Sequence, residues 1–396
     1  MSAPGRVAVV GASLAGVRVL KALRRKGFDG ELVLIGDENE LPYDRPPLSK
    51  HYLTGDDPVA VKLLEPESFY DDVELRLGVS AVRLDLADRA VTLDDGSSVR
   101  ADHVVIATGA RARTLAELPD GPRIARLRTV ADARRIRAAF GSCQRLLVVG
   151  GGFIGCEVAA SARRRGLEVT LVEPLAAPVV RGVGALVGGT IAAVHRENGV
   201  DLRVGVAVAG VEHLADRLVV MLTDGSRVEA DFAVVGVGAT PATEWLAGSG
   251  IEATGGVACD DRCRVAGGGG GVWAVGDVAV WPSRLSGGPV RIEHWTNAAE
   301  QASVLAANLL DDSSDMCHDP VPYVWSDQYE HKIQILGRVH GDDETTLVSG
   351  SLDERKFALA YSREGRICGL VAFNSPREVV AMRTLIAQSA LMADVA

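Results

Sequence analysis

VAVVGASLAG, residues 7–16, sets four apolar residues ahead of Gly11 and closes on Gly16. A short apolar run, a glycine turn and then helix-forming residues predict a buried strand entering a helix through a tight turn. The same order returns at LLVVGGGFIG, Leu146 to Gly155. Each copy is followed by another apolar strand that closes on an acid: ELVLIGDE reaches Asp37 and Glu38, and EVTLVE ends at Glu173. The helices between them end alike, on Arg24-Arg25-Lys26 before Gly27 and Arg163-Arg164-Arg165 before Gly166. Cations in a last turn followed by glycine are helix-stop chemistry.

Glycines at this spacing let the backbone approach a pyrophosphate, whose charge then meets the free N–H groups of a helix N-terminus. The acid about 20 residues further on accepts from ribose hydroxyls. Two such copies in register imply two dinucleotides held by one chain. The usual reason to hold two is hydride transfer from a nicotinamide to a flavin.

Composition narrows the remaining classes. With 396 residues, 47% of them hydrophobic and 24% charged, the chain can build two or three cored domains. A net charge of −10 argues against nucleic acid as a partner. The absence of a basic n-region with an apolar run, and of any span-length apolar stretch, makes a soluble cytoplasmic protein the default expectation. Cys143, Cys156, Cys259, Cys263, Cys317 and Cys368 form no C-x-x-C, so neither a metal site nor the paired thiols of a flavin disulfide reductase is expected.

The first segment closes on DHVVIATGA and the second on DFAVVGVGATP; GGGGGVWAVGDVA and EHWTNAAEQASVLAANLL follow, the latter with helical periodicity. From about Pro320 the texture changes to three or four antiparallel strands, turning at Glu364-Gly365 and near Gly350, and a final helix. The Gly267–Gly271 run reads as a flexible surface loop.

LPYDRPPLSK (41–50), IATGAR (106–111), GGGFIGCE (150–157), AVGDVA (274–279), RIEHWTNAAEQA (291–302) and WSDQY (325–329) resemble, in that order, the FAD-dependent, NADH-using ferredoxin reductases of oxygenase electron chains. These are the putidaredoxin-, rubredoxin- and dioxygenase-type reductases. The resemblance covers essentially the whole chain. It implies an α/β fold with two Rossmann-like dinucleotide-binding domains, glutathione-reductase-like, plus a small C-terminal α+β domain. The FAD domain would be residues 1–110 and 235–318, the NAD domain 111–234, and the C-terminal domain 319–396.

The resemblance assigns Lys50, Glu157 and Trp295 to the nicotinamide–flavin junction, with Lys50 beside the flavin N5 edge and Glu157 paired to it. FAD would be held by Gly11, Ser13, Leu14, Ala15, Gly16, Asp37, Arg45, Val82, Thr108, Gly109, Arg128, Gly276 and Asp277. Ser13 stands where a second glycine is usual. Trp325 is a weaker carry-over. NADH would meet Gly150, Gly152, Phe153, Ile154, Gly155, Glu173 and Gly238. A carboxylate at Glu173 favours NADH over NADPH, with Arg181 close enough in sequence to soften the preference.

The implied activity passes hydride from NADH to FAD and then single electrons to a ferredoxin of the 2Fe–2S type, or a rubredoxin, serving a cytochrome P450 or dioxygenase. The resemblance also implies a monomer or weak homodimer. Arg284 and Arg291 are nominated as cations facing that partner. Two alternatives share the architecture: an NADH oxidase or peroxidase working through one cysteine, and a non-enzymatic NADH-sensing flavoprotein similar to apoptosis-inducing factor.

Overall fold

The computed structural model describes residues 5–55 and 61–395. From the N-terminus run β1 (Arg6–Val10), α1 (Leu14–Arg25), β2 (Glu31–Gly36), β3 (Val73–Leu77) and β4 (His103–Ile106). Then come β5 (Ile124–Arg126), α2 (Val130–Phe140), β6 (Arg145–Val149), α3 (Phe153–Arg164), β7 (Glu168–Glu173), α4 (Val180–Glu197), β8 (Asp201–Val204) and β9 (Phe232–Val235). After β10 (Val272–Ala274) and α5 (Trp295–Leu310), the chain closes on β11 (Tyr323–Gln328), β12 (His331–Gly337), β13 (Glu344–Ser351), β14 (Lys356–Arg363), β15 (Arg366–Phe373) and α6 (Pro376–Ala387).

Two units result. The first comprises residues 5–44, 61–111 and 240–322; the second comprises 45–55, 112–239 and 323–395. In the first, a parallel sheet runs β10-β4-β1-β2-β3. β1, β2, β4 and β10 are buried on both faces, while the edge strand β3 is only partly covered. Val7, Val9, Val105 and Trp273 pack under α1 and α5, and Ala8, Val10, Val104 and Ile106 pack with Trp245 and Trp281 on the other side. In the second unit, β8-β7-β6-β9-β5 repeats the parallel pattern. Parallel sheets covered on both faces need near-continuous apolar strands, and that is why VAVV and LLVV mark them.

The C-terminal sheet, in the second unit, is antiparallel with order β11-β12-β15-β14-β13, carrying five strands where three or four were expected. WSDQYEHKIQILG folds back on itself as the β11–β12 hairpin. Its turn escapes a sequence reading because Tyr329, at φ +54°, takes a conformation usually left to glycine or asparagine. The turn at Glu364-Gly365 joins β14 to β15. Gly350 lies within β13 opposite Phe357, and the chain reverses at 352–355.

The pentaglycine run is a packed turn, not a surface loop throughout. Gly268 and Gly271 are buried, and Val104 N–H donates to Gly271 O at 2.9 Å. A Cβ at Gly271 would stand 2.7 Å from the Arg89 side chain and 3.1 Å from Asp102 O, while Gly267, Gly269 and Gly270 all have positive φ.

Candidate active site

The end of β1 fixes the first glycine turn. A Cβ on Gly11 would lie 2.1 Å from Ala107 O, and one on Gly16 would lie 2.1 Å from Gly11 O. Any side chain there would drive α1 off the strand. Ser13 precedes the helix in extended conformation, and Leu14 and Ala15 open it with no acid in the first turn. The positive helix end is therefore left for an anion.

The one-turn helix Gly276–Val278 closes on the same place: a Cβ on Gly276 would stand 2.8 Å from the Ala15 Cβ. Gly276 N–H donates to Gln301 Oε1 at 2.7 Å, whereas Gln301 Nε2 is buried without a hydrogen-bond partner. A fully buried amide donor left unpaired beside a glycine cradle suits a bound polar group. Thr108 Oγ1 donates to Ala242 O at 2.7 Å, and Gly109 O accepts from Ala242 N–H at 3.0 Å, fixing the strand-end turn.

Trp295 begins α5 and donates Nε1–H to Asp44 at 3.1 Å, with the Arg18 guanidinium 5.4 Å from its ring. His294 before it has a buried, unpaired Nδ1, and burial pulls its pKa down to about 4 although Asp277 opposes this. Arg291 turns inward, donating to Asp277 O at 2.9 Å and pairing with Glu293, so it braces the Asp277 turn. Arg284 is exposed beside Asp319. Asp37 lies exposed one residue past β2, 3.9 Å from Arg111. Val82 sits 48% exposed on a separate small antiparallel sheet.

The second turn repeats the first. A Cβ on Gly150 would lie 2.4 Å from Gly236 O, and one on Gly155 would lie 1.9 Å from Gly150 O. Gly152 caps α3, Phe153 and Ile154 begin it with no acid in the first turn, and Ile154 is exposed. Gly238, at φ +101°, accepts from Arg113 N–H at 3.0 Å. One difference separates the copies. By strand register Gly36 is the counterpart of Glu173, since Val10 pairs with Ile35 and Val149 with Val172. A Cβ on Gly36 would lie 2.4 Å from the Ala12 Cβ, while Glu173 has room because residue 151 is glycine. Glu173 is buried and accepts from Gly151 N–H at 2.6 Å and Leu175 N–H at 2.8 Å.

Also in the second unit, the Pro46-Pro47 turn presents Lys50 to Glu157 on α3, Nζ to Oε2 at 2.9 Å. Ser49 donates to the same oxygen at 2.5 Å, and Ser326 on β11 donates to Oε1 at 2.6 Å. Arg45 Nη1 donates to Arg128 O at 2.9 Å, joining two more expected residues. Trp325 stacks on Tyr323 with centroids 6.0 Å apart. Ser49 and Ser326 lay inside PPLSK and WSDQY, yet no periodicity marked either one as a partner of Glu157.

None of the six thiols is set up as a thiolate. Burial pushes Cys259 up to about 12 and Cys143 and Cys368 to about 11, and raises Cys156 and Cys263 as well. A hydrogen bond with Asp261 raises exposed Cys317. Reactive cysteines need the opposite environment.

Comparison with known proteins gives two family matches. The family described as pyridine nucleotide-disulphide oxidoreductase matches residues 5–302, and the reductase C-terminal family matches 323–396. The chain is 36% identical to rhodocoxin reductase of Rhodococcus erythropolis, covering 96% of this chain and 89% of that one. It is 38% identical to the ferredoxin–NAD(+) reductase component of the anthranilate 1,2-dioxygenase system of Burkholderia cepacia, covering 97% and 94%. It also resembles the reductase in a covalent putidaredoxin reductase–putidaredoxin complex, with TM-score 0.92, 32% identity and coverage of 98% and 94%.

Proposed function

The chain belongs to the pyridine nucleotide-disulphide oxidoreductase family, and from that premise we propose that it is an NADH-dependent ferredoxin reductase. The observation that carries this reading is the pair of glycine turns, each too close-packed for a Cβ and each opening on an uncompensated helix N-terminus. FAD, when bound, accepts a hydride and gives up electrons one at a time. Everything else is positioning and electrostatics supplied by the chain.

The Gly11–Gly16 turn, Thr108-Gly109 and Gly276-Asp277 would hold FAD, with Gln301 Nε2 offering an unused donor, Asp37 facing a ribose, and Arg45 and Arg128 adding positive charge. The Gly150–Gly155 turn, Glu173 and Gly238 would hold NADH. Lys50 would oppose the negative charge of a reduced flavin, Glu157 would hold the ammonium in place, and Trp295 would pack at the junction. On this reading residues 5–110 and 235–318 form the FAD domain, 111–234 the NAD domain and 319–395 the C-terminal domain.

Relatives named for ferredoxin and putidaredoxin make an iron–sulfur protein, feeding a dioxygenase or a cytochrome P450, the electron acceptor that fits best. One chain carries both glycine turns and the Lys50–Glu157 pair, which suits a monomer or weak homodimer. An enzyme consuming NADH works where that pool is, and so we place it in the cytoplasm. No helix among the described residues is long and apolar enough to cross a membrane.

The test is steady turnover. Purified protein reconstituted with FAD should reduce a 2Fe–2S ferredoxin with NADH, read by coupled cytochrome c reduction. NADH consumption that needs oxygen and yields only peroxide or water, with ferredoxin left oxidised, would overturn the reading.

A further inference from the structure

Glu157 is the end of a longer buried chain of hydrogen bonds. Ser326 O–H donates to Glu157 Oε1 at 2.6 Å, and Gln328 Nε2–H donates to Ser326 Oγ at 3.2 Å. Gln328 Oε1 lies 3.1 Å from His195 Nε2, and the Tyr329 hydroxyl lies 3.2 Å from His195 Nδ1. An amide oxygen only accepts, so the Nε2 of His195 carries the hydrogen and its Nδ1 accepts from Tyr329. Burial pulls the His195 pKa down to about 4, in keeping with this neutral ring. Glu157, His195, Ser326 and Gln328 are all under 5% exposed.

Every donor in this series points toward Glu157. Chains of this kind polarise one another, and in a low-dielectric interior a satisfied network fixes one arrangement of its members. The Gln328 amide in the middle cannot relay a proton, so the series orients and does not conduct. Ser326 and Gln328 alternate along β11 and therefore share its inner face. The C-terminal sheet thereby reaches a carboxylate on α3 that itself grips Lys50 on a loop more than a hundred residues earlier.

We propose that Ser326, Gln328 and His195 are positioning residues that fix the Glu157 carboxylate and, through it, the Lys50 ammonium. The proposal rests on the reading of Lys50 as the cation opposing reduced flavin. Losing the Ser326 hydroxyl leaves Oε1 under-satisfied, so Glu157 swings toward Lys50 and carries the ammonium from its place.

The experiment compares Ser326→Ala, Ser326→Thr and Gln328→Met with Lys50→Ala in the FAD-loaded protein. Three quantities are read: the flavin midpoint potential, the stopped-flow rate of flavin reduction by NADH, and the acylation rate of the Lys50 amine by mass spectrometry in the FAD-free protein. Ser326→Ala should slow flavin reduction about tenfold and lower the two-electron potential by about 30 mV, the equivalent of tenfold. It should also change Lys50 acylation severalfold. Ser326→Thr, which keeps the hydroxyl, should restore all three, and Gln328→Met should shift them in the same direction by less.

If Lys50→Ala moves potential and rate while Ser326→Ala and Gln328→Met move nothing, the positioning proposal is overturned and the reading of Lys50 survives. If Lys50→Ala leaves both unchanged, that reading fails, and the acylation rates still decide whether Ser326 positions the amine.

Discussion

Glu173 does two things at once. Under the proposed function its carboxylate would meet the adenosine ribose of NADH and disfavour a 2′-phosphate, and in the structure it ties down the glycine turn through Gly151 and Leu175. Glu173→Ala should therefore not behave as a clean specificity switch. We expect KM for NADH to rise about tenfold, as befits loss of a charged hydrogen bond. The NADPH:NADH ratio of kcat/KM should rise by less than the NADH loss, because the turn itself loosens. Parallel kinetics with both nucleotides check this, and a variant that gains NADPH activity with no loss for NADH would show that the turn does not depend on Glu173.

At the scale of elements, the distance between β1 and α1 is set by two glycines. Gly16→Ala places a methyl 2.1 Å from Gly11 O, a separation that no rotamer relieves because the clash is with backbone. The helix must move away from the strand, taking its N-terminal N–H groups with it. The variant should purify folded but colourless, with far-ultraviolet dichroism retained and the FAD released on denaturation falling from roughly one per chain in the parent to a few per cent, in line with the loss of a binding determinant. FAD retained at parental stoichiometry would mean that α1 does not carry the pyrophosphate. The second copy offers its own control: Gly155→Ala, with a Cβ 1.9 Å from Gly150 O, should leave the protein yellow and weaken NADH instead.

For the whole molecule, two buried histidines and one half-buried one make stability fall in acid. Burial holds His195, His294 and His318 at about 4, against an ordinary value of 6.5. The folded protein keeps them neutral, while the unfolded chain takes up protons as pH falls through 6.5. Stability is therefore full above that value and is lost progressively toward pH 4. One such histidine accounts for on the order of 2 kcal/mol between pH 7 and 5. The thermal midpoint should drop over that window. His318→Gln, which can keep the hydrogen bond to Asn297 seen at 2.9 Å, should make the drop shallower. An unchanged pH slope would mean that His318 is not a source of it.

The sequence by itself determined the two parallel sheets and their glycine turns, because both are local. Apolar runs such as VAVV and LLVV, glycines that meet backbone within a few residues, and acids at the next strand end all act over about thirty positions. Tertiary structure decided what is not local. The Lys50–Glu157 pairing was expected from the family resemblance alone and from no local pattern, because their 2.9 Å contact joins a loop to a helix, and the Ser326 donor, which nothing announced, comes from a strand 169 residues further on. Arg291 looked like a surface cation and was claimed by Asp277 O, since a half-buried turn carbonyl takes a donor whatever the sequence nearby suggests. The extra C-terminal strand was hidden for a related reason. Tyr329 holds its left-handed turn while its hydroxyl bonds His195, a partner 134 residues earlier that no local pattern announces.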